Sequence, residues 1–143
     1  ATKVGMVGTA DTYQEITAPL LGILQDSGAD FTLSFAYVEA LTRDHSERFT
    51  QLERLIPQHL ELKRFWQSHL GQAATYATSA EVNPLRIPRN HQIEQTIKAA
   101  ESGDFEPFRA LKQALLADTL EHSEETLRGP KPQEWLNRTF CGT

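Results

Sequence analysis

The chain has 143 residues and a mass of 16.1 kDa, with 39% hydrophobic and 23% charged side chains. This size and composition suit one ordinary globular domain and exclude two large ones. Lys and Arg number fourteen against nineteen Asp and Glu, which gives a net charge of −5. Because nothing supplies the basic field that a phosphate backbone requires, we expect no nucleic acid partner.

The sequence also argues against a membrane partner and against disulfide chemistry within the chain. Its apolar runs are far shorter than the ~20 residues that cross a bilayer. Cys141 is the one cysteine, so it can form neither an intrachain disulfide nor a site with several thiolates. We therefore expect a cytoplasmic protein.

Apolar residues at intervals of three and four predict two helices in the first third of the chain. Asp11 begins a capping-box pattern for the first helix, which is predicted to bend at Pro19 and to end at Ser27 and Gly28. Asp30 is predicted to cap the second helix, which ends near Thr42.

The middle of the chain predicts two more helices and one conspicuous loop. Ser46 is predicted to cap the third helix, which stops or kinks at Pro57. The fourth helix carries an apolar stripe and continues more weakly to Ala80. Two prolines then impose extended structure on the loop from Val82 to Pro88.

Two further helices are predicted after the loop. Pro88 is placed in the first turn of the fifth helix, Ile93 and Ile97 are expected to face inward, and Gly103 is expected as the residue after the C-cap. Asp104 opens the sixth helix, whose apolar face carries Phe105, Phe108, Leu111, Leu115 and Leu116.

These elements predict an all-α fold, a bundle of about six helices with a proline-rich internal loop and an extended C-terminal tail. Residues 1–10 are expected to be a flexible lead-in, residues 11–118 a helical domain, and residues 119–143 the extended tail.

Motifs for catalysis are absent from the sequence. It contains neither of the glycine-rich patterns that cradle phosphates, nor a serine-nucleophile elbow. His91 with Glu94, and His59 with Glu61 near Lys63, are the candidate metal ligands, and we interpret both sets as parts of solvated helix faces. We therefore expect no catalytic, cofactor-binding or metal-binding residue in this chain.

Two candidates remain for a functional role. Arg86, Arg89 and Asn90 gather at the proline loop, where guanidinium groups could bind a carboxylate or phosphate, although such residues more often fasten loops and cap helices. Cys141, near the C-terminus, could pair with a thiol elsewhere, or could be an inert thiol packed beside Phe140.

Several ordered motifs resemble the C-terminal part of the selenoprotein O family. They span nearly the whole chain and are K-V-G-M at 3–6, D-F-T at 30–32, N-P-L-R-I-P-R-N-H at 83–91, Ile93, Glu94, Ile97, A-A-E-S-G-D at 99–104 and F-C-G-T at 140–143.

The resemblance implies a protein adenylyltransferase with a kinase-like fold, which uses ATP and Mg²⁺ to transfer AMP to hydroxyl side chains of other proteins. The nucleotide-binding and catalytic residues of the family precede this part, so none is carried onto a position here. Cys141 matches the family position that holds cysteine or selenocysteine, which implies a redox role. The partners implied are the N-terminal kinase-like part and the protein substrates of the parent.

We therefore expect a helical segment that braces a larger enzyme and is inactive alone. Without its companion, it should expose an apolar surface that self-association could cover. One alternative is a stand-alone helical interaction module with no enzyme attached. Another is a small metal-dependent enzyme built on His91 and Glu94.

Overall fold

The computed structural model describes residues 10–69, 83–117 and 127–134. These residues contain six α-helices and a 3-10 turn but no strand, which confirms the predicted all-α class with about six helices. The elements are α1 (Ala10–Ser27), α2 (Phe31–Thr42), α3 (Ser46–Glu53), α4 (His59–His69), α5 (Asn90–Glu101), α6 (Glu106–Ala117) and the 3-10 turn (Pro132–Glu134).

The chain divides into two compact units, Ala1–Pro84 and Leu85–Thr143. The first unit holds α1 to α4, and the second holds α5, α6 and the 3-10 turn. Most of the predicted lead-in and tail lies outside the described residues, so the domain boundaries at residues 10 and 118 stay predictions.

α2 is the most deeply buried helix of the described chain. Every residue from Leu33 to Thr42 is buried, and α2 packs against both α3 and α4. Asp30 caps the helix as predicted, because its side-chain Oδ1 accepts the backbone N–H of Leu33 at 2.9 Å. A helix buried on all faces needs an apolar sequence all round, and the buried part of α2 has one except at Ser34, Glu39 and Thr42.

Both α2 and α5 end in the same left-handed turn. At the end of α5, Gly103 has a φ of +89°, its N–H donates to the carbonyl of Ala100, and the next N–H donates to the carbonyl of Ala99. These bonds satisfy carbonyls that the helix leaves open, which confirms the predicted role of Gly103. At the end of α2, Asp44 takes the same place with a φ of +55°.

The cap predicted for α3 is wrong by one residue. Ser46 is the first residue of the helix, and His45 is the N-cap, without a side-chain hydrogen bond. The turn that closes α2 fixes this start, because the N–H of His45 donates to the carbonyl of Ala40. α3 then ends at Glu53, four residues before Pro57.

α4 completes the first unit by packing against α1 as well as α2. Its inward face carries the buried Leu62 and Phe65, and α1 contributes the buried Ile16, Leu20 and Leu24. The predicted continuation beyond His69, as far as Ala80, lies outside the described residues.

The predicted start and orientation of α5 are wrong. The helix begins at Asn90 with Arg89 as N-cap, so Pro88 lies before its first turn. Its buried residues are His91, Gln92 and Thr96. Ile93 and Ile97, which were expected inward, are exposed over 36% and 47% of their surface. Both isoleucines lie on the face of α5 that is turned towards α6, but α6 does not bury them.

Candidate functional site

Asn83 is the first described residue of the loop that carries the densest motif, and it is hydrogen-bonded to a buried carboxylate. Glu39 Oε2 accepts from the backbone nitrogen of Asn83 at 2.9 Å and from its side-chain Nδ2 at 2.7 Å. Glu39 is in the middle of α2 and is buried. The carboxylate therefore fixes both the backbone and the side chain of Asn83.

Two arginines complete this cluster. Arg43, one turn after Glu39 in α2, donates its Nε to Glu39 Oε1 at 3.1 Å. Arg48, in α3, donates Nη2 to the carbonyl oxygen of Asn83 at 3.2 Å. A buried carboxylate is tolerated only when donors compensate for its lost hydration, and here both carboxylate oxygens accept hydrogen bonds.

The three loop residues singled out in the sequence lie in different environments. Arg86 is only 3% exposed, so its guanidinium does not face solvent. Arg89 donates Nη2 to the carbonyl of Leu127 at 3.0 Å, which ties the start of α5 to the 127–134 segment. Asn90 is the exposed first residue of α5. They do not form one anion-binding cluster on the surface.

The candidate metal ligands also lie in different environments. His91 is buried on the inner face of α5, whereas Glu94 is half-buried. His59 contacts the carbonyl of Ile56 through Nδ1 at 2.9 Å, so that nitrogen carries the proton. Over the described ranges, no group of three or more His, Cys, Asp or Glu side chains is arranged to hold a metal ion.

An ion pair stabilises the 127–134 segment, to which Arg89 is hydrogen-bonded. Arg128 and Glu134 form a two-pronged pair, with Nη1 to Oε2 at 2.6 Å and Nη2 to Oε1 at 2.8 Å. The backbone N–H of Lys131 donates to the same Oε2 at 2.8 Å. The hydrogen bonds from Arg128, then that from Lys131, lower the pKa of Glu134 from 4.5 to about 2. The pair closes the turn that follows the buried Leu127.

This pair predicts a defined pH dependence. A carboxyl group whose pKa is lower in the folded state adds stability above its unfolded pKa and loses that contribution as pH falls through the folded pKa. The contribution of Glu134 should therefore be complete above about pH 4.5 and should disappear towards pH 2. Carbon-13 NMR titration of the Glu134 carboxyl group should give a midpoint near 2.

Substitution of either flanking cation, Arg128 or Lys131, tests the cause of the low pKa of Glu134. Arg128→Gln should move the midpoint back towards 4.5, because it removes the two-pronged pair. Lys131→Gln should leave it low, since Lys131 contributes only its backbone N–H. A midpoint that Arg128→Gln fails to move would contradict this assignment.

A second polar network joins α2, α3 and α4. The Tyr37 hydroxyl donates to Glu53 Oε1 at 2.9 Å, and Lys63 Nζ donates to the same oxygen at 3.2 Å while lying 5.5 Å from the centre of the Phe49 ring. Burial, and then the bond to Glu53, raise the pKa of Tyr37 far above 10. Burial alone would raise the pKa of Glu53, but the bonds from Tyr37 and Lys63 outweigh it and lower that pKa. The network holds three helices together and leaves the phenol un-ionised.

An apolar groove lies between α5 and α6, and we call it the α5–α6 groove. Its volume is about 390 Å³. All but two of its lining side chains are apolar, and the full set is Pro88, Ile93, Thr96, Ile97, Phe108, Leu111, Lys112, Leu115 and Leu116. Such a lining suits an apolar surface better than a charged or strongly polar ligand.

A wider hollow of about 700 Å³ lies between α1 and α4 in the first unit. It mixes Pro19, Ile23 and Phe65 with charged side chains, including Asp26 and Arg64. His69 at its edge is held by its own helix, with Nδ1 3.1 Å from the carbonyl of Phe65. Its charged side chains lie at exposed positions of α1 and α4.

The sequence analysis identified the loop motif that contains Asn83 but did not predict that the Glu39 carboxylate binds it. The signal was present, because Glu39 is a single carboxylate inside the apolar run F-A-Y-V-E-A-L. A charge in such a run must meet donors from elsewhere in the fold. Cys141, the redox candidate, lies outside the described residues. No described helix combines the length and the apolar character needed to span a bilayer.

Comparison with known proteins identifies relatives along nearly the whole chain. No family model and no solved structure matches it. Proteins named protein nucleotidyltransferase YdiU match 99% of the chain at 36% identity in Rhizobium etli, 37% in Rhizobium leguminosarum and 32% in Agrobacterium fabrum. The chain spans only 30 to 31% of the length of these relatives. It therefore belongs to the YdiU protein nucleotidyltransferase family, which is the selenoprotein O family, and corresponds to a C-terminal portion of it.

Proposed function

We propose that the chain is the non-catalytic helical portion of an enzyme that transfers AMP from ATP to Ser, Thr or Tyr hydroxyls of proteins, and that it braces the kinase-like part of that enzyme. The observation that carries the proposal is the similarity over 99% of the chain to protein nucleotidyltransferases of which the chain covers only 30%. In this proposal, the protein substrates are those of the longer enzyme, which acts in the cytoplasm.

The contacts of the motif loop support a bracing role. Asn83 is engaged with the Glu39 carboxylate, and Arg89 with the carbonyl of Leu127. Arg86 is buried rather than presented to a ligand. Side chains used in this way hold a loop in one conformation, and a rigid loop is what a supporting segment needs.

The proposal assigns ATP and Mg²⁺ to no residue of the described ranges. Gly28 and Gly103 have left-handed backbone conformations just after α1 and α5, and neither belongs to a glycine-rich phosphate-binding motif. Glu39, Glu53 and Glu134 accept hydrogen bonds from cationic or hydroxyl side chains of the chain. In this proposal, ATP and Mg²⁺ bind to the kinase-like part, and no chemical step is assigned to residues of this chain.

The proposal includes the redox role that the family resemblance implies for Cys141. A cysteine thiol near a chain end can form a mixed disulfide with a second thiol when an oxidant accepts the two electrons. This role stays a prediction.

An AMP-transfer assay tests the proposed function. Three proteins are compared: the product of the whole reading frame that contains this chain, the same product without this segment, and the 143-residue chain alone. With ATP labelled at the α-phosphate and Mg²⁺, the whole product should label protein and the chain alone should not. Removing the segment should cut labelling by about tenfold or more, which is about 1.4 kcal/mol in the barrier.

Labelling at the γ-phosphate provides the control, because AMP transfer keeps the α-phosphate and releases the γ-phosphate with pyrophosphate. Label from γ-phosphate would indicate kinase activity and would contradict the proposal. Equal labelling of protein with and without the segment would contradict the proposed bracing role. A reading frame without glycine-rich and metal-binding motifs upstream would instead favour a stand-alone interaction module.

A further inference from the structure

The α5–α6 groove exposes more large apolar side chains than are buried among the described residues of its unit. Among the described residues of Leu85–Thr143, the buried apolar side chains are Leu85, Ala114 and Leu127. Against these, Phe108 is 52% exposed, Ile97 47% and Leu116 76%. A contiguous apolar surface of this kind marks an interaction site in a folded protein.

The helices around the groove are well formed, so its exposure does not come from a broken element. α5 ends in the complete turn at Gly103, and α6 begins with the backbone N–H of Glu106 donating to Asp104 Oδ1 at 3.0 Å. The two helices pack against each other. Within the described residues, the groove is therefore an exposed apolar surface between two well-formed helices.

The length of the relatives indicates what covers it. The chain accounts for 30% of the Rhizobium etli relative, so more than two thirds of such a polypeptide lies outside the matched region. We propose that the α5–α6 groove is the docking surface for that remaining polypeptide, which inserts an apolar ridge flanked by a carboxylate opposite Lys112. This inference rests on the proposed function and deepens it by naming the surface through which the segment braces the enzyme.

The charges favour this occupant over a second copy of the chain. Lys112 is the one charged side chain in the lining, and a symmetric pairing through the groove would bring two copies of it to the same interface. Each copy also carries a net charge of −5, so pairing joins two chains of like charge. A different stretch of polypeptide does not place a second Lys112 at the interface.

Thiol labelling at the groove tests the inference. Cys141→Ser removes the native thiol, and Ile97→Cys or Leu116→Cys places one in the groove. Gln113→Cys is the matched control, because Gln113 is exposed on α6 and does not line the groove. Maleimide labelling rates are compared between the 143-residue chain and the product of the whole reading frame, after circular dichroism has shown that each variant is helical.

Both groove variants should label as fast as the control in the isolated chain. In the longer protein they should label about tenfold or more slowly, as expected when the open form is a minor population, while the control keeps its rate. Equal groove rates in both proteins would overturn the inference. So would protection in the isolated chain that grows with its concentration, which would assign the groove to a second copy, or a reading frame that adds no further polypeptide.

The labelling result is independent of AMP transfer. If the groove variants are protected in a longer protein that transfers no AMP, the docking inference stands and the proposed activity is wrong. If the longer protein transfers AMP but its groove labels freely, the proposed activity stands and the docking inference is wrong.

Discussion

Replacing Glu39 with alanine is expected to lower the free energy of unfolding by about 3–5 kcal/mol, the usual cost of removing one partner of a buried ion pair. The side chain is buried and accepts hydrogen bonds from Arg43 and from both nitrogens of Asn83. Alanine leaves these donors facing a small cavity. The start of the motif loop should lose its anchor at the same time.

Urea denaturation measures this effect, with Trp66 fluorescence as the probe in a Trp135→Phe background, so that the signal comes from the first unit. Glu39→Gln should lose nearly as much as alanine, because its NH₂ group brings a further donor to a site already rich in donors. Glu15→Ala, at an exposed position of α1, should change stability by less than about 0.5 kcal/mol. Equal midpoints for the two alanine variants would show that the cluster contributes nothing.

Leu62→Ala is expected to destabilise the first unit by about 2–5 kcal/mol, from lost transfer free energy and the cavity left behind. Leu62 is fully buried on the inward face of α4, which packs against α1 and α2. The cavity cannot collapse easily on the α2 side, because α2 and α4 are held together by the Tyr37, Glu53 and Lys63 network.

Leu60→Ala is the matched control, with the same chemical change two residues away. Leu60 is 57% exposed, so its loss should cost less than about 0.5 kcal/mol. The same urea titration compares the two variants. A loss at Leu60 as large as that at Leu62 would mean that the inward face of α4 has been assigned incorrectly.

The helix ends show how far local sequence can predict the fold. Asp30 and Gly103 act as predicted, because a cap and a left-handed turn depend on backbone geometry within a few residues. The prediction for Ser46 was wrong by one residue, since its competitor was the turn that closes α2 around Asp44. Neighbouring elements decided that boundary, and their hydrogen bonds cannot be read from residue type.

Burial was less predictable than helix formation. Ile93 and Ile97 fit an inward stripe by spacing, yet α5 buries His91, Gln92 and Thr96 instead. Periodicity identifies an apolar face but does not say what lies opposite it. In a chain that spans less than a third of its relatives, that face can belong to an interface and not to the core of its own unit.

By itself, the sequence determined the all-α class, the number of helices in the described ranges and the family, because spacing and local motifs are properties of the linear chain. Only the tertiary structure decided that Glu39 anchors Asn83 and that α5 and α6 leave a groove open. The physical reason is distance along the chain. Glu39 and Asn83 are 44 residues apart, so their contact exists only after the intervening helices have packed.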